Sequence, residues 1–358
     1  VAAEAPVPAA AGTAGGQPSV VAATALGSWP GTDPVEAART VRGELGEPNL
    51  PHLVELPGRG AGSDPVGRSA GMLVDLAVDL QPHGWRLVDR PGQDHRRAVS
   101  ALATDLNVLA DVVGAEEDPG RQLKLQLRGP LSLAANLYLH NGERALLDAG
   151  ARRDISQSLA AGAADHLARA AGAVPAGTQL VVQLDEPEID KVLAGSIPTA
   201  SGYRTLRAVP APEVLQAWRA VVGALRAAGA AEIVLAVPGT DAALQAAAGA
   251  GADGFAVAAA GLTAGQWEAI AAAAEADRRI WLGAVDTADP AAQVPQVRQL
   301  VESVLRPWRQ LGLPAASLPR LRITPSTGLA AHRLDSARLV LARLGQVADA
   351  LNQVVAES

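Results

Sequence analysis

The sequence predicts an α/β fold, a (β/α)8 TIM barrel with an inserted hairpin and loop section between its second and third strands, and three observations predict it. Short β-branched or Leu-rich runs alternate with longer Ala/Leu-rich helical patterns, the signature of parallel strands joined by helices. About eight such runs occur, the number that closes a barrel. Some of them carry polar residues at alternate positions, as a strand with a lumen on one side and helices on the other requires.

In chain order, Val1–Ser19 is rich in Ala, Pro and Gly and lacks a charged start or a long apolar centre. It reads as a disordered tail rather than a secretory signal. Residues 20–358 then make a single barrel domain. Strands are expected at Val20–Gly27, His52–Leu56, Leu123–Leu127, Gln179–Leu184, Glu232–Val237, Gly254–Ala258, Arg279–Ala284 and Leu321–Thr324. Helices are expected at Pro34–Leu45, Gly142–Ala171, Pro212–Ala228, Ala242–Ala248, Ala264–Ala276, Gln293–Leu311 and Leu334–Val355. The section 61–119 is more than a crossover helix. Its Asp75–Asp89 part reads as a hairpin beside the barrel, where an insertion covers a site.

Composition narrows the chemistry. With 49% hydrophobic residues among 358, the chain has ample material for a large core. The absence of cysteine removes disulfides, thiolate nucleophiles and thiolate metal sites. A net charge of -7, with few aromatic residues and no dense Lys/Arg run, argues against nucleic acid and for a small-molecule partner. No clean apolar run is long enough to span a membrane, so the expected location is the cytoplasm.

The third expected strand is the clearest guide to the lumen. In Leu123-Lys124-Leu125-Gln126-Leu127-Arg128 the leucines share one face and Lys124, Gln126 and Arg128 the other. The fourth repeats this with Gln183 and Asp185, then runs through Glu186 into Pro187 at the strand end where barrel enzymes carry chemistry. Asp185 is therefore expected beside Lys124 or Arg128, since charges in a lumen are tolerated mainly when paired. A structural ion pair with no ligand fits the same residues. The turn Gly27-Ser28-Trp29-Pro30-Gly31 offers backbone N–H groups to an anion, and a plain tight turn packed by a Trp would read the same way.

Five segments, taken together and in order, resemble a known family: Gly27–Thr32, Leu50–Pro57, Arg128–Leu133, Gln183–Pro187 and Thr324–Leu329. They are similar to motifs of short actinobacterial proteins related to cobalamin-independent methionine synthase, in the barrel superfamily that includes uroporphyrinogen decarboxylase. The resemblance implies a cytoplasmic methyltransferase of methionine biosynthesis, in which a zinc-bound homocysteine thiolate takes a methyl group from a folate-type donor. It implies that Gly27 and Ser28 receive the amino acid's carboxylate and that Asp185 receives its ammonium group. Lys124 and Glu186 would belong to the same pocket, and Trp29, Arg128 and Asp286 would fall on the donor side.

The resemblance departs at the metal. The family carries His-x-Cys after the fifth strand, an acidic residue after the sixth and a Cys after the eighth. Here those positions hold Ala236, Pro238, Ala258 and Thr327. His52, His83, His95, His140, His166 and His332 show no ligand-like spacing, so no cofactor is expected, zinc included. Three readings remain: an amino-acid methyltransferase without thiolate-bound zinc, a catalytically inactive amino-acid-binding barrel, or a metal-free reaction on the same scaffold. The expected partners are a small amino acid and a folate.

Overall fold

The computed structural model describes residues 20–358, so the expected tail 1–19 lies outside the described residues. Seven parallel strands form one curled sheet in the order β1-β9-β8-β7-β6-β5-β4. They are β1 (Ala22–Ala23), β4 (Gln122–Arg128), β5 (Gln179–Asp185), β6 (Glu232–Ala236), β7 (Gly254–Ala258), β8 (Arg279–Val285) and β9 (Leu321–Pro325). Strands β2 (Ala77–Gln81) and β3 (Gly84–Val88) pair antiparallel as a separate hairpin, where the sequence places one.

The first two expected strands are shorter than their sequence suggests. Regular pairing of β1 with β9 covers only Ala22 and Ala23, after which Thr24 turns its hydroxyl to Leu50 O at 2.7 Å. Gly27 then takes φ +127, a backbone conformation that ends an extended ladder. The expected strand at 52–56 is present only as isolated bridges. Leu50 N donates to Ala23 O, Lys124 N to Pro51 O, Leu53 N to Lys124 O, and Glu55 N to Gly27 O. The segment thus hydrogen-bonds to both edges of the sheet, to β1 at Leu50, then to β4 at Pro51 and Leu53, then to Gly27 at Glu55. Pro51 has no N–H to give, and this change of partner prevents a continuous ladder.

Helices cover the outer face. They include α1 (Pro34–Glu44), α4 (Pro130–Asn136), α5 (Ala149–Gly172), α6 (Ile189–Ala194), α7 (Ala211–Ala227), α8 (Asp241–Ala248), α9 (Ala264–Glu275), α10 (Val297–Gln310) and α11 (Leu334–Glu357). The helix expected from Gly142 starts seven residues later, because 137–145 bonds to itself and to β3, and Asp148 caps α5 by accepting from Ala151 N at 2.8 Å. Section 61–119 holds two helices besides the hairpin, α2 (Pro65–Ala70) and the 22-residue α3 (Gln93–Gly114). Ala98, Leu102, Leu106, Leu109 and Val113 face inward on α3, an i, i+4 stripe that drives its packing. Among the described residues no helix is long and apolar enough to cross a membrane.

Two hydrophobic clusters divide the interior. The large one lies between sheet and helices, and a small one of Leu50, Val181, Val234, Ala256 and Trp281 fills the middle of the lumen. Alternation along each strand sets this directly: Lys124 and Val181 are register partners, as are Val234 and Gly254, and Ala256 and Trp281. An apolar waist therefore separates a polar floor from a polar mouth.

The inserted helices are tied to the sheet by charge. Arg68 of α2, 2% exposed, pairs with Asp105 of α3 and lies 3.7 Å from Glu55, while Arg59 reaches Asp105 at 2.7 Å. Removing one member of a buried pair leaves the other uncompensated. Arg68→Leu is expected to lower stability by roughly 3–5 kcal/mol, and the R68L/D105L double variant to recover part of it, both read by urea unfolding. Additive losses in the double variant would show that the two charges do not support each other.

Candidate functional site

The mouth lies at the C-terminal ends of the strands. Three of its groups follow from strand alternation: Lys124 and Arg128 on β4, and Asp185 at the end of β5. Arg128 and Asp185 are register partners. Lys124 and Asp185 do come together, through an intermediary. Lys124 Nζ donates to Gln183 Oε1 at 2.7 Å, and Gln183 Nε2 donates to Asp185 Oδ1 at 2.6 Å and to Leu26 O at 3.0 Å. The amide orients both ends of the chain of bonds, and Lys124 also lies 5.8 Å from the Trp281 ring centre.

Glu55 completes the arrangement. It lies within the Leu50–Pro57 motif, where no sequence signal singles it out, and it is 5% exposed, its backbone bridged to Ser28. Burial raises its affinity for a proton, against the pull of Arg68 and Lys124. Burial, followed by the neighbouring Glu55 charge, pushes Asp185 up to about 7. Lys124, fully buried, is lowered to about 7 by desolvation, against the opposing pull of Asp185 and Glu55. Two carboxylates thus face one site and resist being ionised together.

Gly27 and Ser28 line the same edge. A Cβ at Gly27 would meet Gln126 Cδ at 2.6 Å, and φ +127 disfavours any side chain there, so glycine is required. Ser28 is half-buried, with its hydroxyl against Gly328, where a Cβ would come within 2.0 Å of Oγ. Gln126 Nε2 donates to Leu53 O at 2.6 Å, which fixes the irregular segment against β4. Arg128 is half-buried, 3.7 Å from Glu188, and its backbone N–H donates to Ser69 Oγ at 2.8 Å.

Two expected site residues, Glu186 and Trp29, point away from the mouth, and a third, Asp286, lies on its rim. Glu186 is fully buried in the helix layer and accepts from Leu131 N at 3.1 Å, Ser132 N at 2.7 Å and Trp218 Nε1 at 2.8 Å. It caps the N-terminus of α4 and does not shape the mouth, because adjacent strand residues point to opposite faces. Trp29, 1% exposed, is packed in the core, so its ring does not face a donor. Asp286 is exposed on the rim, where it accepts from Ser326 Oγ at 3.0 Å and Ala288 N at 3.1 Å.

The four positions that the resemblance implies for zinc ligands, Ala236, Pro238, Ala258 and Thr327, bring no thiolate, imidazole or carboxylate side chain. Ala236 is the register partner of Asp185, Ala258 that of Gly283, and Pro238 follows β6. Thr327 Oγ1 donates to Thr287 O at 3.0 Å. Among the described residues no group of three or more His, Cys, Asp and Glu is placed to hold a metal ion. His52, buried beside Lys124, is pushed down to about 3 by desolvation and then by the lysine charge.

The raised Asp185 has a consequence for stability. Its folded value of about 7 lies above the ordinary 3.8, so ionising it disfavours the fold as pH rises from about 4 to about 7. Asp185→Asn, which cannot ionise, is expected to gain stability relative to the parent chain over that window. Urea unfolding at pH 4.5 and pH 7.5 checks this. An equal difference at both values contradicts it.

No protein of curated function matches the chain in sequence. Two solved structures share the fold. A B12-independent methionine synthase from Shewanella sp. W3-18-1 in complex with selenomethionine superposes with a TM-score of 0.60 at 10% identity, covering 95% of this chain and 100% of that one. The putative vitamin-B12-independent methionine synthase of Listeria monocytogenes gives 0.50 at 12% identity, covering 92% and 98%. Residues 21–350 match the family described as cobalamin-independent synthase, catalytic domain, and the chain belongs to that family.

Proposed function

We propose that this chain binds the amino-acid end of a homocysteine- or methionine-like molecule at the mouth and lacks the family's zinc site. The observation that carries the reading is the facing pair Glu55 and Asp185, both with raised proton affinity, beside the Gly27–Ser28 turn. An ammonium group between them would relieve their mutual repulsion and replace the solvation lost on burial. The Ser28 hydroxyl and the turn's backbone would then face the ligand's carboxylate. In the Shewanella relative the bound molecule is selenomethionine, a ligand with the same amino-acid end.

The scaffold in this reading is a single (β/α)8 domain over 20–358 in the cytoplasm. Its eighth strand is the irregular 50–55 segment, and section 61–119 is an insertion braced against Glu55 through Arg68. Zinc supplies the family's reaction with a deprotonated sulfur. Here Ala236, Pro238 and Ala258 have no side-chain lone pair to offer, and the Thr327 hydroxyl is engaged with Thr287. The side chains present do not fit the metal, so the reading is an amino-acid-binding member of the family.

A second reading is favoured by the family match over 21–350. It keeps methyl transfer to homocysteine from a folate-type donor, with Arg128 and Asp286 on the rim facing that donor.

Calorimetry with methionine and with homocysteine tests the first reading. Both are expected to bind, and Asp185→Ala to weaken them about tenfold or more, the loss of one charged hydrogen bond. Glu186→Gln, buried behind α4, is expected to leave affinity unchanged. Failure of either amino acid to bind, or unchanged affinity in D185A, removes the reading. Stoichiometric zinc in the purified protein, or methionine formed from homocysteine and a methyl-folate, would favour the second.

A further inference from the structure

A large cavity lies away from the mouth. It opens at the other end of the sheet, below the apolar waist, with a volume of about 1450 Å³. That end of a barrel ordinarily serves stability and is closed. Here it is open and carries an unusual lining of eight arginines against six carboxylates, with no lysine or histidine, in a chain whose net charge is -7.

The pairing at its floor leaves positive charge in excess. Glu232 at the start of β6 is shared by Arg279 at 3.4 Å and Arg322 at 3.3 Å, and it also accepts from Trp281 Nε1 at 3.0 Å. One carboxylate thus faces two guanidinium groups. Arg322 is held rigidly, 7% exposed and 5.1 Å from the centre of the Trp281 ring. At the wall, Arg39 of α1 and Arg121 just before β4 form no ion pair among the described residues, and both are exposed. Arg278 is spent on backbone carbonyls of 248 and 252 rather than on a carboxylate.

We propose that this cavity binds a small polyanion with at least two negative charges, its phosphate or carboxylate oxygens gripped by Arg39, Arg121 and the Arg279–Arg322 pair. Guanidinium is suited to this because its planar fork matches both oxyanions in bidentate fashion and stays charged. The volume exceeds what a single inorganic ion needs and reaches the size of sites for metabolite-sized ligands. The apolar waist keeps this site separate from the mouth, so it does not depend on the amino-acid reading.

The experiment is calorimetry of the full chain with inorganic pyrophosphate and, separately, with citrate. Saturable 1:1 binding of at least one is expected, weakening as salt rises. The R39A/R121A variant removes two exposed side chains with no ion pair to lose, and is expected to weaken binding tenfold or more while unfolding at the parent's urea concentration. Hydrogen exchange of the parent chain gives a second readout: protection by the bound anion is expected at 229–232 and 320–322. Binding of pyrophosphate alone assigns phosphate chemistry, and binding of citrate alone assigns carboxylate chemistry. Saturable binding of neither, equal affinity in R39A/R121A, or protection at the mouth instead would overturn the proposal.

Discussion

A strand that faces a lumen sends every second side chain into a space with little water, and any charge placed there has to be answered by its neighbours. In this chain that constraint acts at three levels. At the floor Glu232 answers Arg279 and Arg322, and at the waist five apolar side chains close the lumen. Toward the mouth Gln183 links Lys124 to Asp185. The first level leaves positive charge over and the last leaves carboxylate charge facing carboxylate charge. Each imbalance marks a place where a ligand of opposite sign would complete the pairing.

The mouth is also mechanically coupled to the section that precedes β4. Glu55 sits on a segment with no regular ladder, held by single backbone bonds to both sheet edges and by the Gln126 amide. Its carboxylate is approached by Arg68, whose guanidinium is shared with Asp105 on α3. The position of a mouth carboxylate thus depends on Arg68 of α2 and, through it, on Asp105 of α3, so packing of that section tunes the charge at the site. Glu186 plays a different part: by capping α4 it fixes the loop that follows β4 and so the direction of Arg128.

Much of this was legible in the sequence, and what was not has physical causes. Strands β4 to β9 announce themselves because buried parallel strands are short apolar runs bounded by Gly, Pro or polar turns. Alternation alone gives the polar face of β4, where Lys124 and Gln126 are buried on the side away from the leucines. Segment 50–55 defeats that rule: Leu50 joins the lumen waist, yet Glu55 faces the charges of the mouth, because Pro51 and the change of pairing partner break the two-residue period. The family resemblance puts Glu186 in the same pocket as Asp185, although neighbours on a strand point apart. Helix α3 carried a clear i, i+4 stripe that the hairpin reading of its section overshadowed. Trp29 could be packed or exposed on the sequence alone, and burial decides for the core. The floor cavity had no local signal, since its arginines come from loops and strand starts scattered over the whole chain.

The central claim is that the mouth stores unfavourable carboxylate charge that an ammonium group relieves. Its most direct measurement is the number of protons exchanged when methionine binds, from calorimetry at pH 6.5 in two buffers of different ionisation enthalpy. Asp185, held near 7 in the free protein, is driven to ionise by the incoming cation, and Lys124 is pushed the same way, so the account predicts net proton release. Binding with no proton exchanged, or with protons taken up, would contradict it.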